Sequence, residues 1–586
     1  MFRTSRLSAG AAKANRPGFA LESTLVVMIL VGAIVALATT WVVTTQRTTG
    51  VDYRGARVQH AAEAGADAIM AQLELAMQDG VLRQTEIDAL KTPELDGFDF
   101  EQLDVTYTGA AEARTIQSGT FKGLFALNQP VEIAVSARDE NMNSASVVVR
   151  VNAQSIPLFQ FGVFYQDDLE IHPGANMFFE GWVHTNGNLY LSSNTLYFQS
   201  LITTPGKLFH RRKNNTEKLN GVYINDASGS EVALTFDSES ASDPATFRAN
   251  SLRDFDSRLM TDAHSVSDLR LPLPTGVPPI AMIQPRYGSD DADTRDVKFA
   301  WKADWYIQVD VSQIDNICPA LTSGAYQWVR KGSLGTPNAS QCTGIFSGKK
   351  SAFYDRREQR WVDVLNLDVG ALRSWIAASS GRDVEILYVT FVNSGSRYSA
   401  LRVRNGSRLP GPITIASDRP LYVQDDFNTI GWQPASLLGD AITFLSPSWD
   451  DSKQGTSALR TASAMDVYAA VAAGHSATPC DWKTGICGPT PTNPPNEANG
   501  NYGGGLENFP RFLESWSGRK FLYRGSLVSL FQSQYAAQRR WRTTGEYYNA
   551  PIRDWEFDLR FQDPRNLPPG TPTVGSVLQT AFRPVF

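Results

Sequence analysis

The sequence has few cysteines, few histidines and little charge, and each shortage removes a class of function. Its four cysteines stand at 318, 342, 480 and 487. None of their spacings is CxxC and no histidine sits beside them at zinc-finger distance, so no metal site is expected. The six histidines, His60, His172, His184, His210, His264 and His475, form no HExxH. A GxSxG elbow, a GxxxxGKS/T phosphate loop and a GxGxxG fingerprint are also missing, and no cofactor is implied. Charged residues make up only 19% of the chain, and the formal net charge is −6. That balance disfavours nucleic acid as the main partner, because phosphate binding leans on clustered Lys and Arg.

What is present points to strands and turns. With 586 residues, 42% of them hydrophobic, the chain can bury sizeable cores without a metal or disulfide. Its 45 glycines and 31 prolines favour a mainly β ectodomain over a helical bundle. In an oxidising compartment the cysteines would form two disulfides, with three connectivities open. The local one, Cys318 with Cys342 and Cys480 with Cys487, is favoured; four free thiols would suit a cytosolic chain.

The N-terminus bears on the compartment. Between Met1 and Leu21 every charged residue is basic: Arg3, Arg6, Lys13 and Arg16. Pro17-Gly18-Phe19-Ala20-Leu21-Glu22 follows, then an apolar run from Leu25 to Val43. A helix needs about 20 residues to cross a bilayer core, close to the length of this run. The basic residues ahead of it stay cytoplasmic, which directs the remainder outward. The expected placement is one pass through a membrane, with the N-terminus cytoplasmic and the large domain on the far side. Ala36, Ala38 and Thr40 offer the alternative of ordinary signal-peptide cleavage.

The Gly18-Phe19 junction ahead of the apolar run resembles the class III leader of type IV prepilins. The resemblance implies a bacterial inner membrane, a periplasmic or extracellular large domain, and a prepilin peptidase that cuts after Gly18 and methylates the new amine of Phe19, leaving the membrane helix in place. It also gives Glu22 an assembly role. An acid at the membrane edge is costly unless paired, and the amine of a neighbouring subunit is a suitable partner. In the family this Glu is the fifth mature residue, whereas Glu22 is the fourth, a displacement of about 100° around the helix. The plainer reading is an acid snorkelling to the cytoplasmic headgroups. Val51 to Gln78 is rich in helix formers, with Gly80 as a stop. Its segment Ala61-Ala62-Glu63-Ala64-Gly65 is a small-residue patch that another helix or sheet could approach closely. It resembles the N-terminal region of PilX-type minor pilins, a likeness that runs from Gly18 to about Leu75.

The fold class expected is α+β. Residues 1–18 read as a leader, 19–80 as a long pilin-like helix and 81–153 as a small β module. Within that module Val131-Glu132-Ile133-Ala134-Val135 alternates nearly strictly. Residues 154–586 read as a mainly β ectodomain. Short apolar bursts broken by Gly and Asn, as in Gly181-Trp182-Val183-His184-Thr185-Asn186-Gly187-Asn188-Leu189, suit the rungs and corners of an irregular β-solenoid. An irregular β-sandwich is the competitor. The interval 207–408 reads as an insertion or second lobe with a hairpin around Val384 to Val403. Residues 477–505 read as a surface loop pinned by Cys480 and Cys487. The segment Gly181–Leu189, Gly439-Asp440 and Leu506–Trp516 together resemble the ectodomains attached to PilX-type prepilins.

Several residues invite chemistry. His184 could act as a base, although a corner-stabilising hydrogen bond suits it better. Glu507 and Glu514, seven apart, would share a face if helical and mimic a glycosidase pair. Asp290-Asp291-Asp293, Asp425-Asp426 and Asp450-Asp451 could take calcium, though none has EF-hand spacing. Lys207-His210-Arg211-Arg212-Lys213 reads as a solvated loop, and Trp432, Trp449, Trp482, Trp516 and Trp541 could serve a binding surface. The reading that follows is a minor pilin-like subunit without enzymatic turnover. It would act in assembly or adhesion, with other pilin subunits, the prepilin peptidase, the membrane and a surface glycan or protein as partners. A secretion pseudopilin is the nearest variant. The alternatives are an anchored β-helix enzyme acting on polysaccharide and a permanently anchored envelope protein.

Overall fold

The computed structural model of the chain describes residues 19–77, 82–117, 119–214, 217–271, 273–274, 276–318, 328–330, 338–378, 383–452, 460–478, 505–538 and 547–585. It is α+β: one long N-terminal helix, a small antiparallel sheet and a large stack of short parallel strands.

Helix α1 runs without a break over Phe19–Ala76. Only its second half is seated on the rest of the molecule. Val58, Ala62, Ala66, Ile69 and Leu73 recur every three or four residues, which puts them on one face, and all are buried. They pack on a sheet made of β1 (Phe98–Tyr107), β2 (Glu112–Thr115), β3 (Phe125–Asp139) and β4 (Ser144–Pro157). The period-two alternation of β3 and β4 turns Val131, Ile133, Val135, Val147, Val149 and Val151 onto the helix. A fifth strand comes from the far end of the chain. Thr573–Val585 lies antiparallel along β4, from Thr573 opposite Pro157 to Val585 opposite Ser146. Everything between Leu158 and Pro572 is therefore inserted between two neighbouring strands of one sheet.

The inserted part stacks parallel strands into rungs. Val163–Tyr165 pairs with Val183–Thr185, which pairs with Ile202–Thr203. Leu169–Ile171, Leu189–Leu191 and Leu208–Phe209 form a second face. Met177–Phe179, Ser193–Phe198 and Asn220–Asn225 form a third. Leu169, Leu189, Leu196, Ile202 and Leu208 line the interior with no exposed surface.

The path through the stack is not a simple climb. From Val163 the chain winds outward to Leu259–Met260, crosses to Trp305–Asp310 at the other end, and then winds back. Ile386–Val392, Ile413–Ser417, Ala435–Gly439, Ala470–Gly474 and Leu527–Phe531 follow in turn. Leu527 finally pairs with Val163 and closes the two halves on each other.

Two sequence expectations are corrected here. The interval 207–408 is not a separate insertion, because Leu208–Phe209, Asn220–Asn225, Trp305–Asp310 and Ile386–Val392 are all rungs. Bursts two or three residues long, such as Leu208–Phe209 between Lys207 and His210, are too short to announce a strand. The expected hairpin at Val384–Val403 is also absent. Ile386–Val392 and Tyr398–Arg404 belong to different sheets, and the turn between them, with Asn393 and Gly395 at positive φ, is a corner of the stack.

Candidate functional site

The first half of α1 is the most unusual surface of the molecule. Ser23–Gln46 has a mean hydropathy of 2.6 and none of its apolar window is buried. Leu25, Met28, Ile29, Leu37 and Trp41 are all more than half exposed. No charged residue lies between Glu22 and Arg47. Threonine hydroxyls in and just beyond this stretch bond back to the helix itself. Thr40 donates to the Ala36 carbonyl at 2.5 Å, Thr44 to Thr40 at 2.7 Å, Thr45 to Trp41 at 2.8 Å and Thr48 to Thr44 at 2.8 Å. A bilayer offers no water to such hydroxyls, so internal bonding is what a spanning helix requires. By length and composition this helix can cross a membrane, as an anchor or as a signal.

Phe19 opens α1 and Glu22 lies in its first turn, while Gly18 falls outside the described residues. Ala36, Ala38 and Thr40 lie inside the unbroken helix.

The small-residue segment serves as the seat of α1 on the sheet. Ala61, Ala62 and Ala66 are buried against it, and β1 comes so close that a Cβ on Gly65 would sit 2.3 Å from Phe100 Cε1. Gly65→Val is therefore expected to push the Phe100 ring away and cost about 1–3 kcal/mol. Urea unfolding of the detergent-solubilised protein measures this, and Phe100→Ala in the same chain should recover part of the loss.

The residues with inviting chemistry mostly hold corners. His184 is fully buried, with Nδ1 2.8 Å from Thr203 Oγ1 and Nε2 3.0 Å from Asn186 Oδ1. Burial lowers its pKa to about 4, so the ring is neutral at physiological pH and hidden from any substrate. Asn186 clamps the crossing segment by donating to the Leu269 carbonyl and accepting from the Leu269 amide. At Gly187 the demand is space rather than a left-handed φ, since a Cβ would meet Asp168 N at 2.4 Å. Asp168 accepts from Asn188 N and Asn188 from Lys207 N, so one rung caps the next.

Glu507 and Glu514 do not share a helix. Leu506–Asn508 is a single 3-10 turn and Pro510–Phe512 a strand, since Pro510 has no N–H with which to continue the turn. Glu507 accepts from His172 N at 3.1 Å. Glu514 accepts from Ser446 N and Oγ at 2.7 and 2.8 Å, and burial raises its pKa.

The charged clusters are similarly engaged. Arg211 pairs with Glu239, Arg212 with Glu217 and Lys213 with Asp168. Asp290 binds Lys298 and the Trp301 indole, Asp291 caps the helix Ala292–Val297, and Asp451 takes both Nη atoms of Arg402. Among the described residues, no three His, Cys, Asp or Glu gather as a metal site. Trp449 and Trp516 are core, Trp432 is half-buried, and Trp482 and Trp541 lie outside the described residues. Cys318 and Cys342 are joined, Cα to Cα 5.5 Å, whereas Cys480 and Cys487 lie outside the described residues.

Sequence reading missed the strongest electrostatic cluster. Arg511, almost wholly buried, bonds Glu358 and the Ala536 carbonyl, while Gln538 N donates to the same Glu358 carboxylate. Asp355 receives the Tyr422 hydroxyl at 2.6 Å. Burial pushes the Glu358 carboxyl up to about 7, while the facing Glu358 and Asp355 outweigh burial at Arg511 and hold its pKa above the ordinary value. The two shifts pull the pair in opposite senses. The one that decides its state is that of Arg511, which keeps its proton throughout and leaves an ion pair whenever Glu358 is ionised. Glu358 and Arg511 stand 153 residues apart, and no local pattern joins them.

Comparison with known proteins adds little. No family model matches the chain, and no curated protein matches it. The crystal structure of the competence-associated pilin ComZ from Thermus thermophilus aligns over 90% of this chain and 97% of its own. The identity is 10% and the TM-score 0.27, a likeness too slight to bear on fold or function.

Proposed function

We propose that the chain is a minor pilin-like subunit of a type IV pilus or related pseudopilus, anchored by α1 and acting in assembly or adhesion through its large exported part. One observation carries this reading: a single 58-residue helix whose first half is bare and apolar and whose second half is seated on an antiparallel sheet. A free apolar face of that length needs either lipid or the same helix of neighbouring subunits around it. The bulk of residues 158–572 would hinder close stacking of many identical copies, which suits a scarce initiating or tip subunit. In this reading Gly18–Phe19 is the processing site and Glu22 pairs with a neighbour's N-terminal amine. The exported part binds and assembles without turnover; both nominated carboxylates, Glu507 and Glu514, are occupied by backbone amides.

The test is the mature N-terminus. Mass spectrometry of the membrane-extracted protein is expected to find Phe19 first and methylated, and Gly18→Val should leave the precursor uncut in the inner membrane. A start after Ala36 or Ala38 would sink the reading. Deleting the gene should lower pilus number or surface attachment.

A further inference from the structure

The hairpin end at Arg360 and two successive corners of the stack, at 393–397 and 418–419, all from the returning half of the chain, come together with a distant loop around one open cavity of about 320 Å³. Arg360, Arg397 and Arg419 line it with Asn393, Ser394 and Tyr535. That volume is at the lower end of small-molecule sites, enough for one or two sugar rings.

The walls are held from behind. Arg397 forms a two-pronged pair with buried Asp363, Nη2 to Oδ1 at 2.6 Å. Arg419 lies 3.4 Å from the Asp418 carboxylate and donates to the Phe391 carbonyl at 3.2 Å. The loop bearing Tyr535 is fixed by buried Asp440, which accepts from the amides of Gln534, Tyr535 and Ala536 at 2.5, 2.9 and 2.7 Å. That grip sets the Tyr535 ring 3.8 Å from the Arg419 guanidinium carbon, making a flat, partly apolar shelf. Arg360 is oriented by the Ser396 carbonyl at 3.2 Å, and among the described residues no carboxylate pairs with it.

The pairing of the three arginines selects the ligand. Asp363 neutralises Arg397, and Arg419 is engaged by the buried Asp418 and the Phe391 carbonyl, which leaves Arg360 as the fork of this cavity with no carboxylate partner among the described residues, over an aromatic shelf edged by amide and hydroxyl groups. A planar monoanion matches such a fork with two parallel hydrogen bonds. The apolar face of a pyranose ring matches the shelf, and hydroxyl groups match Asn393 and Ser394. We propose that this cavity binds a uronic-acid unit of an acidic polysaccharide, its carboxylate on Arg360 and its ring on Tyr535. A tetrahedral phosphate offers no ring face to the Tyr535 shelf and fits less well.

This deepens the adhesive reading and rests on it for its setting, but the two fail separately: binding is measured on purified protein, processing on the N-terminal residue. The full chain in detergent is titrated calorimetrically with trigalacturonate, with a glucuronate-containing trisaccharide, with the fully methyl-esterified galacturonate trimer and with inorganic phosphate. At least one of the two acidic sugars is expected to bind. Esterification should weaken binding tenfold or more, and Arg360→Gln and Tyr535→Ala should each do the same without altering the circular dichroism spectrum. The proposal is overturned if neither acidic sugar binds, if the ester binds as well, if phosphate binds more tightly, or if both substitutions leave affinity unchanged.

Discussion

A chain ending at Thr571 is expected to lose its helix–sheet module while the stacked strands stay compact. The missing strand, Thr573–Val585, covers β4 along nearly its whole length. Val574 is fully buried, Val577 packs on the module's core, and Gly575 N donates to the Arg270 carbonyl across to the stack at 2.8 Å. Burying a valine contributes roughly 1.5–3 kcal/mol and each ladder hydrogen bond about 1 kcal/mol net. The loss should exceed about 5 kcal/mol on that scale, enough to unfold a module of ordinary stability. Limited proteolysis of the detergent-solubilised protein should then cut rapidly between residues 82 and 157 and spare a fragment beginning near Leu158. Equal resistance of the truncated and complete chains would refute it.

Arg511→Met should be the most damaging single replacement inside the stack. It removes the bonds of Arg511 to Glu358 and the Ala536 carbonyl and leaves a buried Glu358 carboxyl, already pushed up to about 7, that takes up a proton with only Arg357 still facing it. Losing one partner of such a pair costs about 3 kcal/mol. Glu358→Gln alone should cost less, since the amide keeps an acceptor for Gln538 N. In the double variant most of the loss should return, because neither side chain then carries a buried charge. Urea midpoints for the three variants and the parent form the cycle, and strictly additive losses would mean that the pair does not interact.

Legibility in the sequence followed the range of the forces involved. The strict alternation at Val131–Val135 and the helix formers of Val51–Gln78 are local signals, and the long helix and antiparallel strands are there. The apolar, uncharged run after Glu22 likewise reads directly as the bare half of α1. The corner role of His184 was legible because its neighbours Thr185, Asn186 and Gly187 are turn residues, although Gly187 is needed for closeness and not for its dihedral angles. The order of rungs was not legible. Val163 pairs with Leu527, and nothing in either short apolar burst distinguishes that partner from the many similar ones. Register in such a stack is fixed by closure of the whole solenoid. The Arg360 cavity was hidden for the same reason, since its walls come from corners that only the stacking brings side by side.

The insertion of the whole stack between β4 and the C-terminal strand decides how the molecule would bear tension. The chain carries a pull on the stack against a fixed α1 into the sheet through Pro157 and Thr573, which lie opposite each other at the same end. The force then runs along β4, which is flanked on one side by β3 and on the other by the last strand. Hydrogen bonds in an antiparallel ladder lie perpendicular to the strands, so such a pull shears many of them together instead of unzipping them singly. Traction on the two strands together is thus spread over the full length of the β3–β4 ladder, on which the long helix is seated.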